Sequence, residues 1–267
     1  MYKDIRVLIV EDDPYARDLM SLLLTRDWRT RVVGEVDSKS ALEEFLSQPG
    51  QNIDLVILDT EIPGEPELPF ELADITRNLS SSPVILYTAT RADAEVLFRL
   101  SQIGFGGYLL KGELLYAMAS AVAEAYAGNC VITPGVQQIA SRQMLPDRTL
   151  VLDGRKLVTD FTPRENELIR LGIIFNLAIR DMADELVLSP GWVSEITSTI
   201  YRKLGVREIL SGDEPLESFF DDEAVLARCK AISKRTKAKQ AKGQLRKAPW
   251  MATLAFHLLT VPKEELL

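Results

Sequence analysis

A chain of 267 residues, 46% hydrophobic and 26% charged, has the length of about two domains and the composition of a folded globular protein. No apolar run reaches the roughly 18 residues of a spanning helix, and the opening MYKDIRVLIVEDD turns acidic where a signal peptide turns apolar, so a cytoplasmic protein without membrane contact is expected. The two cysteines, Cys130 and Cys229, make no disulfide framework or zinc site, the single histidine, His257, excludes chemistry needing two, and the net charge of −8 is unevenly spread.

Short Val/Ile/Leu-rich runs at Ile5–Val10, Val32–Val36, Leu55–Leu58, Val84–Tyr87 and Gly107–Leu110 predict strands buried on both faces. Helical spacing appears between and after them at Pro14–Thr25, Ser40–Ser47, Phe70–Leu79, Ala92–Gln102 and Glu113–Ala127. Five strand-then-helix units predict an α/β fold with a doubly wound, five-stranded parallel sheet over residues 1–127. The site of such a sheet lies at the carboxyl ends of its strands. There the sequence places Glu11-Asp12-Asp13, Asp59, Thr88 and Lys111. Several carboxylates at one rim repel each other unless a cation joins them, and hard oxygen ligands point to Mg²⁺. With a lysine and a hydroxyl beside them, these groups suit the neutralisation of a phosphoryl group in transfer. The spacing alone leaves open which acid is modified.

The stretches VLIVEDDP, DLVILDTEIPG, VILYTAT and GGYLLKGE, in this order, resemble the receiver domain of two-component response regulators over residues 3–127. The resemblance implies that Asp59 accepts a phosphoryl group from a histidine kinase and that Mg²⁺ is held by Glu11, Asp12, Asp59 and the backbone carbonyl of Glu61. It also implies that Lys111 contacts the phosphoryl oxygens and that Thr88 and Tyr108 are the switch residues. A phosphoryl group at Asp59 adds about −1.5 to −2 charges, which draw Lys111 and Thr88 inward. One departure from the family is the turn TEIPGEPELPF after Asp59, longer and more acidic than usual.

Residues 128–160 lose the strong periodicity and predict a linker, with Val131–Gln143 extending the packing of the last receiver helix. At 161–206 a second domain is expected. Thr162, Pro163 and Glu165 form an N-capping signature, Leu168, Leu171 and Phe175 share a helical face, and Asn176 closes the helix. A second helix follows at Ile179–Val187, and a third runs from the cap Ser189-Pro190 to about Leu204, ended by Gly205. The pattern fits a helix-turn-helix or a plain three-helix bundle. FTPRENEL, IRDMADEL and WVSEITSTIYRKLGV resemble the LuxR-type output domain, which implies an all-α DNA-binding helix-turn-helix. Its third helix offers Ser194, Glu195, Ser198, Thr199, Arg202 and Lys203 to DNA, yet the family's basic residues are missing from its first two turns, where Trp192 and Glu195 stand. That departure keeps a second reading open, a protein-interaction module built on the same scaffold.

Residues 207–267 form a C-terminal extension, expected to be helical in part. Its segment 228–247 carries nine bases and no acid, against 21 acids and 11 bases in residues 1–140. Such a run suits phosphate contact or docking on the acidic receiver. Leu226, Cys229 and Ile232 mark a short apolar edge, and Trp250, Leu254, Leu258 and Val261 form a stripe expected to pack on the body or on a second subunit. No catalytic constellation appears beyond the receiver. The expectation is therefore a non-enzymatic transcriptional regulator that partners a histidine kinase and DNA and homodimerises.

Overall fold

The computed structural model describes residues 4–50, 52–76, 82–206, 209, 226–227, 229–231, 250–260 and 265–266. Its first part alternates β1 (Ile5–Val10), α1 (Pro14–Arg26), β2 (Thr30–Val36), α2 (Lys39–Ser47), β3 (Leu55–Asp59) and α3 (Leu68–Ile75). It continues through β4 (Val84–Ala89), α4 (Ala94–Ile103), β5 (Gly107–Leu110), α5 (Lys111–Leu114) and, after a 3₁₀ turn, α6 (Met118–Tyr126). The expected strands are present with ends shifted by at most two residues, as are the first, second and fourth helices; the third runs Leu68–Ile75, with residues 77–79 of its expected span outside the described residues, and the expected helix Glu113–Ala127 is broken at Leu115 into α5, the 3₁₀ turn and α6.

The sheet is larger than expected. After α6 come β6 (Cys130–Ile132), α7 (Pro134–Ile139) and β7 (Thr149–Val151), and β8 (Glu265–Leu266) closes the sheet near the end of the chain. The strand order is β2-β1-β3-β4-β5-β6-β7-β8, with seven strands parallel and β8 antiparallel to β7. Thus the five-stranded expectation is corrected to seven parallel strands, and the stretch expected to be a linker supplies two of them. Gly107 and Tyr108 of β5 pair with Val131 and Ile132, so β5 is an inner strand whose second row of backbone groups is satisfied by the chain itself. Val131–Gln143 accordingly holds strand and helix beside β5, and β6 packs against α6.

Alternation along the strands splits the core into two clusters. Leu8, Val10, Val56, Leu58, Tyr87 and Tyr108 face one side, under α2, α3 and α4. Ile5, Val7, Ile9, Leu55, Ile57, Leu86 and Leu109 face the other, with α1 and α6. This second cluster runs on without a break into Leu168, Ile169, Ile173, Met182, Val193 and Ile200 of the helical region.

That region begins with α8 (Pro163–Leu168), whose N-terminus is a complete capping box between Thr162 and Glu165. A π-helical stretch, Ile169–Ile174, follows, and then α9 (Ile179–Glu185) and α10 (Pro190–Lys203). Asn176 (φ 60°) and Gly205 (φ 70°) end helices in the left-handed region, as expected. The π stretch overturns the expected face, however. Each π turn takes an extra residue, so Ile169, Ile173 and Ile174 face the core while Phe175 is 54% exposed. The guanidinium of Arg26, at the end of α1, donates to the carbonyls of Ile173 and Ile174, tying receiver to output where helix carbonyls lack partners.

Of the extension, α11 (Trp250–Thr260) packs beside α6 and the π stretch and buries Leu254, Ala255, Phe256 and Leu259. The buried face is therefore wider than the expected stripe; Leu258 is partly buried, and the side chains of Trp250 and Val261 lie outside the described residues. Leu226 and Cys229 join the same cluster, whereas Ile232 and most of the basic run lie outside the described residues.

Candidate phosphorylation site and output helices

The ends of β1, β3, β4 and β5 bring Glu11, Asp12, Asp59, Thr88 and Lys111 to one rim. Carboxylate oxygens of Glu11, Asp12 and Asp59 lie within 4.8 Å of one another. Lys111 Nζ is 2.8 Å from Asp59 Oδ2 and 2.7 Å from Glu11 Oε2. Both acids are buried, so one ammonium serves two desolvated carboxylates, with Asp12 alongside. Burial pushes the Glu11 carboxyl up to about 7; Asp59 adds to the push and Lys111 opposes it. The hard oxygen donors and their excess negative charge fit a divalent cation such as Mg²⁺.

Backbone contacts fix these acids. Arg17 donates to the Glu11 carbonyl at 2.6 Å, and the Glu61 amide donates to Asp59 Oδ1 at 3.1 Å. Asp13, next to the acidic pair, instead caps α1 by accepting from the Tyr15 amide at 2.9 Å. The Glu61 side chain turns from the cluster to accept from the Thr90 amide at 2.6 Å.

Thr88 and Tyr108, the expected switch residues, are both buried. Thr88 Oγ1 has no hydrogen-bond partner among the described residues, an unusual state for a buried hydroxyl. Tyr108 points inward, its hydroxyl 3.4 Å from the Arg91 carbonyl, and burial pushes its phenol up to about 12.

The six residues expected to meet DNA all lie on α10, but their surroundings differ. Ser198 bonds the Ser194 carbonyl of its own helix at 2.8 Å, and Lys203 is held by Glu165 at 2.7 Å and the Asp160 carbonyl at 3.1 Å. Glu195 and Arg202 are exposed, the latter 3.5 Å from Thr199 Oγ1. Trp192 is 42% exposed with the Arg164 guanidinium 5.6 Å from its ring, and Val187, in the turn, is 91% exposed. Thr133 and Arg155 escaped the sequence reading because they lie in stretches without a motif, and Glu113, although it ends the GGYLLKGE stretch, has its partners in those stretches.

Residues 7–123 match the family model of the response regulator receiver domain. The chain is 30% identical over 207 residues to the response regulator GacA of Pseudomonas viridiflava, covering 76% of this chain and 90% of that one. It is 26% identical over 204 residues to the response regulator UvrY of Escherichia coli K12, covering 76% and 88%. Among solved structures it is similar to RcsB from Salmonella enterica serovar Typhimurium bound to a promoter, with 20% identity, a TM-score of 0.46 and coverage of 84% and 97%. With its receiver motifs carried at the strand ends and GacA matched over nearly its whole length, the chain belongs to the response regulators of two-component systems.

Proposed function

We propose that this response regulator is a cytoplasmic, non-enzymatic transcription factor, switched by phosphorylation of Asp59 and reading DNA with α9 and α10. The observation that carries the proposal is the pairing of buried Asp59 with Lys111 at 2.8 Å, inside a cluster of oxygen ligands and beside an unpartnered threonine hydroxyl. Glu11, Asp12, Asp59 and the Glu61 backbone carbonyl would hold Mg²⁺, whose charge would offset that of the incoming phosphoryl group.

In the transfer, an Asp59 carboxylate oxygen bonds to phosphorus while the P–N bond to the kinase histidine breaks, and the imidazole leaves with the electron pair and takes up a proton. Lys111 already touches the accepting carboxylate, so its charge is in place before the phosphoryl group arrives. The buried Thr88 hydroxyl gains a phosphoryl oxygen as acceptor. Tyr108, the other residue assigned to the switch, is buried beside it on the neighbouring strand.

On the output side, the turn between α9 and α10 leads into a helix whose N-terminal half presents Trp192 and Glu195. Glutamate can accept from cytosine N4, and Arg202 at the far end is free to reach a phosphate. With so few cations on the helix, a single copy binds weakly, and a homodimer doubles the contacts. Incubation with Mg²⁺ and acetyl phosphate followed by intact-protein mass spectrometry tests the receiver half. One phosphoryl adduct is expected on the native chain and none on Asp59→Asn; an equal adduct on both would refute Asp59 as the acceptor.

A further inference from the structure

Helix α5 starts at Lys111, inside the phosphorylation pocket, and is only four residues long. Its opposite side is held by residues beyond the receiver match. The Leu110 amide donates to Thr133 Oγ1 at 3.1 Å, and Thr133 is fully buried. Glu113 accepts from the Gly135 amide at 2.7 Å and pairs with the Arg155 guanidinium at 2.9 Å. Gly154 sits so close to the end of α5 that a Cβ placed there would lie 2.0 Å from the Leu114 carbonyl oxygen.

Two further features give this grip a direction. Leu115, just after α5, has φ 44°, a conformation that costs a side-chain-bearing residue energy and persists only where the surroundings impose it. Gly154 and Arg155 open a 3₁₀ helix, Gly154–Val158, and the chain then runs through Phe161 to Thr162, the cap of α8. The segment that touches α5 is therefore the one that positions the first output helix.

We propose that Lys111–Leu115 is the coupling element between the two halves, with Glu113, Arg155 and Gly154 carrying a displacement of Lys111 to α8. The proposal rests on Asp59 as phosphoacceptor. A phosphoryl group on Asp59 draws Lys111 away from Glu11, and a single helical turn moves as one body, pivoting at Leu115. The Leu114 carbonyl then presses on Gly154, where there is no slack, while Glu113 pulls on Arg155. An ion pair with one half-exposed member is a weak link alone, and the backbone contact at Gly154 supplies the stiff one.

The test uses the full chain with Mg²⁺ and beryllofluoride as phosphoryl mimic. Fluorine NMR reports occupancy of the pocket, and amide hydrogen exchange reports residues 153–162. In the native chain the mimic should change exchange in that stretch about five-fold or more, the lower end of ordinary allosteric coupling. Arg155→Ala and Glu113→Gln, which leave the pocket's own residues untouched, should bind the mimic yet lose most of that response. Gly154→Ala should lose it as well. A native chain that binds the mimic without a response at 153–162, or an Arg155→Ala variant that responds as the native chain does, would overturn the coupling. Failure of the native chain to bind the mimic would instead remove Asp59 as phosphoacceptor and the proposal with it.

Discussion

Lys111 Nζ lies 2.8 Å from Asp59 Oδ2, across 52 positions of sequence and between the ends of two parallel strands. Lys111 is thus the counter-ion of Asp59 and also the first residue of α5. Replacing it with Met leaves two buried carboxylates without their cation. We expect a loss of roughly 1–3 kcal/mol in urea unfolding, together with loss of acetyl phosphate labelling. Unchanged labelling would show that the ammonium is not needed for transfer.

Glu11 sets a pH dependence. Its carboxyl is pushed up to about 7, so the folded chain holds this proton where the unfolded chain has released it. The folded state therefore loses stability as pH rises from the ordinary carboxylate range through about 7. A cation that needs ionised Glu11 must displace the proton, so Mg²⁺ affinity should rise with pH by up to about tenfold per unit below 7. Calorimetric titrations across that window check this, with Glu11→Gln expected to bind weakly at every pH.

Asp27 anchors a buried network at the base of the receiver. Arg29 donates to it at 2.9 and 3.0 Å and also to Ser120, His257 Nδ1 lies 3.6 Å away stacked on Trp28, and Ser120 donates to the Thr260 carbonyl of α11. Burial pushes this carboxyl up, but His257 and Arg29 outweigh it and hold Asp27 well below the usual carboxylate range. The stability it contributes is full above that range and is lost as pH falls through the depressed value. Asp27→Asn should cost about 3–5 kcal/mol at neutral pH, read from urea unfolding, and flatten the acid limb of the stability profile.

How far the sequence foretold this structure depends on the length of each run. Ile5–Val10 and Gly107–Leu110 have the bounds expected, because a run of buried apolar residues bounded by polar turns leaves little choice. Cys130–Ile132 and Thr149–Val151 are three residues each, too short to show a period, and are strands only because β5 and each other offer pairing. The break at Leu115 was invisible because leucine is a good helix former, and only packing beside Gly154 marks it. The acidic rim was legible because its acids follow strands directly, whereas the tie between Lys203 and Glu165 joins residues 38 apart on two different helices, a pairing that no local pattern shows.

That tie separates two residues that look equivalent in sequence. Arg202 is exposed and its guanidinium bonds only the Thr199 hydroxyl among the described residues, whereas Lys203 holds the capping box of α8 through Glu165. Arg202→Ala should leave thermal stability unchanged and reduce the salt slope of DNA binding by about one. Lys203→Ala should lower the unfolding free energy by about 1 kcal/mol, with the Glu165 carboxylate left without its ammonium. Equal salt slopes for Arg202→Ala and the native chain would place that arginine outside the DNA contact.

The most direct test of the account is fluorescence anisotropy with pooled genomic DNA fragments across a salt series, comparing the native chain with and without beryllofluoride and Mg²⁺, alongside Asp59→Asn. The account requires saturable, sequence-selective binding that tightens when the mimic occupies the pocket and does not tighten in Asp59→Asn. Binding that is indifferent to the mimic, or absent under both conditions, would contradict it.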